Sequence, residues 1–186
     1  AHEKANQLMI DINMISIPME IETKKTIGST TKMIDKAEVI YPVNQFQTEP
    51  QWGLVVPLSV KSYNMENNIP YTEIAYNRYD NRGNLQQYTT KDGIPTTIIW
   101  GYNQTQPIVK VVGATFRDIP QPLVTAIVNA SDLDASNPST EGSLITALDD
   151  FRKDSTMAGY QVTTYTYDPL IGVTVSYTHL TLPTIY

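Results

Sequence analysis

The chain has 186 residues, 41% of them hydrophobic, and thirteen basic against nineteen acidic side chains give it a formal charge of −6. That apolar content can bury the core of one domain, or of one domain with an appended piece. No run reaches the roughly 18 to 20 apolar residues of a membrane helix, no basic cluster is available to neutralise a phosphate backbone, which argues against nucleic acid as a partner, and the lack of cysteine excludes disulfides, thiol nucleophiles and thiolate metal sites.

Ala5, Leu8, Met9 and Ile12 fall at i, i+3, i+4 and i+7, which predicts an amphipathic helix within residues 1–16, ending before Pro18. Residues 19–27 and 30–41 alternate apolar and polar side chains around Gly28-Ser29, the pattern of a long β-hairpin with one wet face; Met33 and Ile34 then fall on opposite faces. Residues 42–53, with two prolines and several Gln, Asn and Thr, read as an irregular connection pegged down by Trp52. A second strand pair follows over 54–63 and 71–79. A three-strand meander, YDNRGNLQQYTTKDGIPTTIIWGY, then runs over 79–102, with turns at Asn81-Arg82-Gly83 and Lys91-Asp92-Gly93, where Gly, Asn and Asp tolerate the positive φ of tight turns.

Residues 17–116 thus read as antiparallel sheet, and the period changes at Asp118. Ile119, Leu123, Val124, Ile127 and Val128 predict a short helix with Pro120 and Pro122 in its first turn. Asn137-Pro138 offers an N-cap and a first-turn proline for a second helix, whose stripe is Leu144, Ile145, Leu148 and Phe151. These two helices form an insertion over 117–159. A returning strand occupies 160–174, with Tyr165 and Tyr167 on one face and Thr164 and Thr166 on the other.

Tyr79-Asp80, then Gly83-Asn84-Leu85, then Asp92-Gly93 resembles the YD or RHS repeat, and Tyr167-Asp168 resembles the start of a second, partial copy. The longer span from Met14 to Thr174, including Leu58 to Tyr63, Thr89 to Pro95 and Trp100-Gly101-Tyr102-Asn103, resembles the region just before the repeat array in large RHS-type surface proteins of Bacteroidota. The resemblance implies a structural motif of Tyr79, Asp80, Gly83, Leu85, Gly93, Trp100, Tyr102, Tyr167 and Asp168. It also implies a cell-surface or secreted location, and a β-sheet shell or spiral built with further YD repeats of the parent chain. Such shells deliver or enclose a C-terminal toxin, or meet cell-surface glycans.

Chemistry is sparse. The two histidines are His2 and His179, too few and too peripheral for acid-base or zinc chemistry, and neither a phosphate-binding loop nor a nucleophile elbow is present. Asp132-Leu133-Asp134-Ala135-Ser136 alternates oxygen ligands as calcium loops do. Measured against an EF-hand it fails, because Asn137 takes the glycine position, Pro138 follows, and Ser143 replaces the closing glutamate, so the stretch reads as a solvated interhelix linker. Asp149 and Asp150 are adjacent, and adjacent helical residues point about 100° apart, so they read as a wet helix face rather than a glycosidase pair. Twelve tyrosines and two tryptophans make Trp52, Tyr88, Trp100 and Tyr102 candidate stacking platforms for sugar, set against the ordinary enrichment of aromatic residues in strands.

Residues 175–184 read like one translated frame of the transposase adapter used for short-read DNA libraries, with Ile185-Tyr186 in the barcode. The expectation is a non-native tail over 175–186, on a chain that begins at Ala1 and is a fragment cut at both ends. The reading is a mainly β, antiparallel, non-catalytic scaffold segment with no cofactor or metal; the alternative is a carbohydrate-binding or adhesion module.

Overall fold

The computed structural model describes residues 2–43, 55–168 and 172–179. The protein is mainly β and antiparallel, with a helix at its N-terminus and a helical pair inserted between two neighbouring strands. Two compact units divide the chain: Ala1–Gly83 with Tyr88–Gly93, and Asn84–Gln87 with Ile94–Tyr186.

The first unit holds α1 (His2–Asp11), β1 (Glu20–Ile27), β2 (Thr30–Ile40), β3 (Ser59–Tyr63) and β4 (Pro70–Tyr79), and the four strands pair in chain order. Met9 of α1, Tyr41 and Val55 form its buried cluster, with Leu8, Met19 and Val39 packed against them. The hairpin outruns that cluster. Every residue of β1 is exposed, which corrects the expectation of one wet and one dry face. A bulge between Thr23 and Lys24 also shifts the register midway, so alternation that is correct at one end of the hairpin is inverted at the other. Charge pairing ties the two strands near the base of the hairpin, where Glu38 is buried. Glu20 and Glu38 sit directly opposite each other, and Lys36 bridges them at 3.1 and 3.3 Å while lying 5.0 Å from the centre of the Tyr63 ring. Trp52 and most of the 42–53 connection lie outside the described residues.

The second unit holds β6 (Pro95–Gly101), β7 (Gln106–Val112), α2 (Gln121–Ser136), α3 (Glu141–Lys153), β8 (Gln161–Asp168) and β9 (Gly172–His179). β7 pairs with both β6 and β8, and β8 with β9. β5 (Leu85–Thr90) gives its first half to this unit and its second half to the other. The expected boundary at 174/175 falls inside β9.

Prolines start the helical pair, as the sequence suggests. Pro120 precedes α2 and Pro122 lies in its first turn, where an amide would have no partner in any case. The Asn137 side chain accepts the Ser139 amide and starts a 3-10 turn, Pro138–Thr140, that runs into α3. Leu144, Leu148 and Phe151 of α3 are fully or almost fully buried, together with Ile127 of α2, Ile108, Val109 and Val111 of β7, and Val162 of β8. Burying each such side chain contributes about 1.5–3 kcal/mol. On β8 the threonines Thr164 and Thr166 point inward with Val162, and Thr164 accepts a hydrogen bond from Arg152 of α3, so the hydroxyl is buried with a partner.

Candidate functional site

In the second unit the β6–β7 turn is seated on the end of α2 through several polar contacts. Tyr102, Asn103 and Gln104 carry positive φ in succession, 51°, 57° and 62°. Each left-handed non-glycine residue costs about 1–2 kcal/mol, so three in a row need compensation. α2 supplies it. The Ser131 hydroxyl accepts the Tyr102 amide at 3.2 Å and donates to the Val128 carbonyl, while the Asp132 carboxylate accepts the Asn103 amide at 2.6 Å. The Asp134 carboxylate accepts the Tyr102 hydroxyl at 2.9 Å. From within the unit, the Asn84 side chain donates to the Gln104 carbonyl, and Thr105 donates to the Tyr102 carbonyl.

Gly101 is what lets the turn approach the helix. A Cβ there would collide with the Ser131 hydroxyl and sit 2.8 Å from Ile108 Cδ1. The Tyr102 hydroxyl accepts the Tyr167 amide at 3.1 Å, and the two rings meet edge to face with centroids 5.6 Å apart. Burial raises the Tyr102 phenol above its usual range; the Tyr167 amide opposes that and the Asp134 carboxylate adds to it. At neutral pH it therefore stays a neutral donor. Asp134 is 7% exposed, and its Oδ1 has no partner among the described residues.

This overturns the solvated-linker reading of residues 132–136. They are the last five residues of α2, and the Asp132 and Asp134 carboxylates accept hydrogen bonds from the β6–β7 turn. Among the described residues no three His, Asp or Glu side chains gather as metal ligands would. Of the sugar-stacking candidates, Tyr102 is buried at 8% exposure, Trp100 is half-buried with its indole N–H donating to the Leu85 carbonyl at 2.8 Å, Tyr88 is half-buried, and Trp52 lies outside the described residues. Asp149 pairs with Arg152 and Lys153, and Asp150 is exposed. A cleft of about 430 Å³ opens beside Tyr102, Thr105, Gln106, Tyr167, Asp168 and Val173. It is roomy enough for a small molecule, yet the Tyr102, Thr105 and Tyr167 hydroxyls on its wall are already bonded to protein.

The YD-type residues serve the backbone. Tyr79 ends β4, and its hydroxyl donates to the Pro57 carbonyl at 2.7 Å; burial, then the neighbouring Tyr76 and Tyr41, push that phenol up. Asp80 accepts the Arg82 amide on its side chain and the Gly83 amide on its carbonyl. Gly83 and Gly93 have φ of 84° and 76°, and Leu85 opens β5. Tyr167 and Asp168 end β8, so the motif residues are divided between the units, and Tyr102 with Tyr167 is the pair brought into contact. Sequence reading missed Ser131, Asp132 and Asp134 as clamps; the signal available was Gly101 followed by an Asn-containing turn between two β-prone runs.

Fold and site together define a mainly β, antiparallel protein in which Ser131, Asp132, Asp134 and Asp80 bond turn residues. No family model, curated protein or solved structure matches the chain.

Proposed function

We propose that the chain is a non-catalytic structural segment of a large RHS/YD-repeat protein at the cell surface or secreted, forming scaffold or shell for a toxin or for cell contact. The observation that carries this reading is where the motif residues go: Tyr79, Asp80, Gly83 and Gly93 are all used in strand ends and turns. The aromatic residues that would stack a sugar in an adhesion module, Trp100 and Tyr102, are instead turned toward a backbone carbonyl and a buried carboxylate. Reading the intact gene on both sides of this segment tests the proposal. Tandem Tyr-Asp…Gly units downstream are the expected result, and a lectin or enzyme domain running through residue 174 would overturn it. Binding on a glycan array that is lost in Trp100→Ala would favour the adhesion module instead.

A further inference from the structure

Two hairpins in the molecule are closed in the same way. The Tyr79 hydroxyl at the end of β4 donates to the Pro57 carbonyl at 2.7 Å, two residues ahead of the partner strand β3. The Tyr167 hydroxyl near the end of β8 donates to the Pro107 carbonyl at 2.7 Å, at the second residue of the partner strand β7. Both strand pairs are antiparallel, with Val60 opposite Ile74 and Val109 opposite Thr164.

The likeness extends along the chain in both directions. Pro57-Leu58-Ser59-Val60-Lys61 and Pro107-Ile108-Val109-Lys110 share a proline, an apolar residue and then Val-Lys, with one extra residue in the first. That extra residue, Ser59, is paired with Ala75, and the register shift of this strand pair falls one step later, where Glu73 of β4 is skipped between Ile74 and Thr72. After each Tyr-Asp the chain passes a left-handed glycine, Gly83 at φ 84° and Gly172 at φ 91°. Each latch tyrosine also lies against another tyrosine ring, Tyr76 at 6.3 Å and Tyr102 at 5.6 Å.

The chemistry of the latch explains why proline and tyrosine go together. Proline has no amide hydrogen, so the backbone at Pro57, just ahead of β3, and at Pro107, second in β7, cannot donate to a neighbouring strand. A phenol from the neighbouring strand reaches the proline carbonyl and ties the strand ends where the ladder is weakest. Burial keeps both phenols neutral and able to donate.

We infer that β3–β4 and β7–β8 are two copies of one repeat unit, that Tyr79 and Tyr167 are its equivalent latches, and that the α2–α3 hairpin replaces a short turn in the second copy. In the first copy β3 passes to β4 through a turn closed by the Asn64 amide on the Ile69 carbonyl; at the same point the second copy carries both helices. Nothing in this equivalence requires the chain to be an RHS segment.

The test is amide hydrogen exchange on the full chain in Tyr79→Phe and Tyr167→Phe, which keep the ring and remove only the latch hydroxyl, with Tyr76→Phe as the packing control. Loss of one hydrogen bond is worth about a threefold to tenfold change in local opening. Tyr79→Phe is expected to speed exchange of the Tyr76 amide, which bonds the Leu58 carbonyl, and Tyr167→Phe that of the β7–β8 ladder around Val109 and Thr164, with each effect confined to its own hairpin. Tyr76→Phe should stay within about twofold of the parent, well under one hydrogen bond. The Tyr79 and Tyr167 phenol protons should also exchange slowly in the parent, each signal disappearing in its own variant while that of Tyr102 remains. A response in only one hairpin, or an equal response to Tyr76→Phe, would overturn the equivalence.

Discussion

The β1–β2 hairpin and the β7–β8 pair are both antiparallel and rich in β-branched residues, yet every position of β1 is exposed whereas Ile108, Val109 and Val111 of β7 have no exposed surface. The difference lies in what is laid over the strands. α2 and α3 bring Ile127, Leu144, Leu148 and Phe151 to the second unit, whose buried cluster among the described residues numbers thirteen against three in the first. Alternation in sequence is enough to make a hairpin, but a hairpin face becomes core only where another layer covers it. Charge pairs add to the cross-strand contacts of β1–β2, Lys36 with the exposed Glu20 among them, and such exposed pairs contribute at most about 1 kcal/mol each.

The contrast is broken or upheld most directly by truncation. Phe151→Ala should cost about 3–5 kcal/mol, because the ring is fully buried between helix and sheet. Ile34→Ala, at 48% exposure on β2, should stay within about 0.5 kcal/mol. Urea denaturation of both variants measures this, and comparable losses would mean that the β1–β2 hairpin packs far better than its exposure indicates.

The glycines sharpen the same comparison. Gly101→Ala should cost up to about 3 kcal/mol, since its Cβ has nowhere to go between Ser131 and Ile108. Gly28→Ala, in the β1–β2 turn at φ 61° with nothing within 4 Å, carries only the backbone strain of about 1–2 kcal/mol. Next comes the buried polar contact. Tyr102→Phe leaves the Asp134 carboxylate without its donor and should cost about 2 kcal/mol. In that background Asp134→Ala should cost clearly less than it does alone, and strictly additive losses in the double-mutant cycle would sever the pair.

Much of this fold was legible in the sequence, and for identifiable reasons. Period-2 runs bounded by Gly28, Gly83 and Gly93 located the hairpins, because only a few residue types accept positive φ there. Asn137-Pro138 and the stripe through Leu144, Leu148 and Phe151 located α3. What was not legible depended on distance. No local pattern says that Asp132 and Asp134 will find amide and phenol donors about thirty residues away at Asn103 and Tyr102; alone they look like a solvated linker. Nor does alternation along 19–41 reveal that every residue of β1 stays exposed. The Tyr-Asp pairs were visible as a motif, but the carbonyls that Tyr79 and Tyr167 bond, at Pro57 and Pro107, are set by strand register.

The smallest expected effect is in acid. Asp118 accepts the Thr115 hydroxyl and amide, Asp154 accepts those of Thr156, and these bonds hold both carboxyls below their usual pKa. Glu22 in the first unit is also held low, chiefly by Lys24 at 2.7 Å. A carboxylate whose pKa is lower folded than unfolded stabilises the fold above the unfolded value, about 3.9 for Asp and 4.3 for Glu, and loses that contribution as pH falls through the folded value. Thermal midpoints should therefore be flat from pH 7 to about 5 and fall below about 4. Asp118→Asn and Asp154→Asn should melt lower than the parent at pH 7, and their curves should converge with the parent's toward pH 2. Salt separates the units, because an exposed ion pair is screened at about 1 M NaCl while short hydrogen bonds to the backbone are not. Glu22→Gln should thus differ from the parent only at low salt, whereas the two aspartate variants should differ at both. Acid limbs that superimpose on the parent's across pH 7 to 3 would show that Asp118 and Asp154 contribute nothing to the ends of the helical insertion.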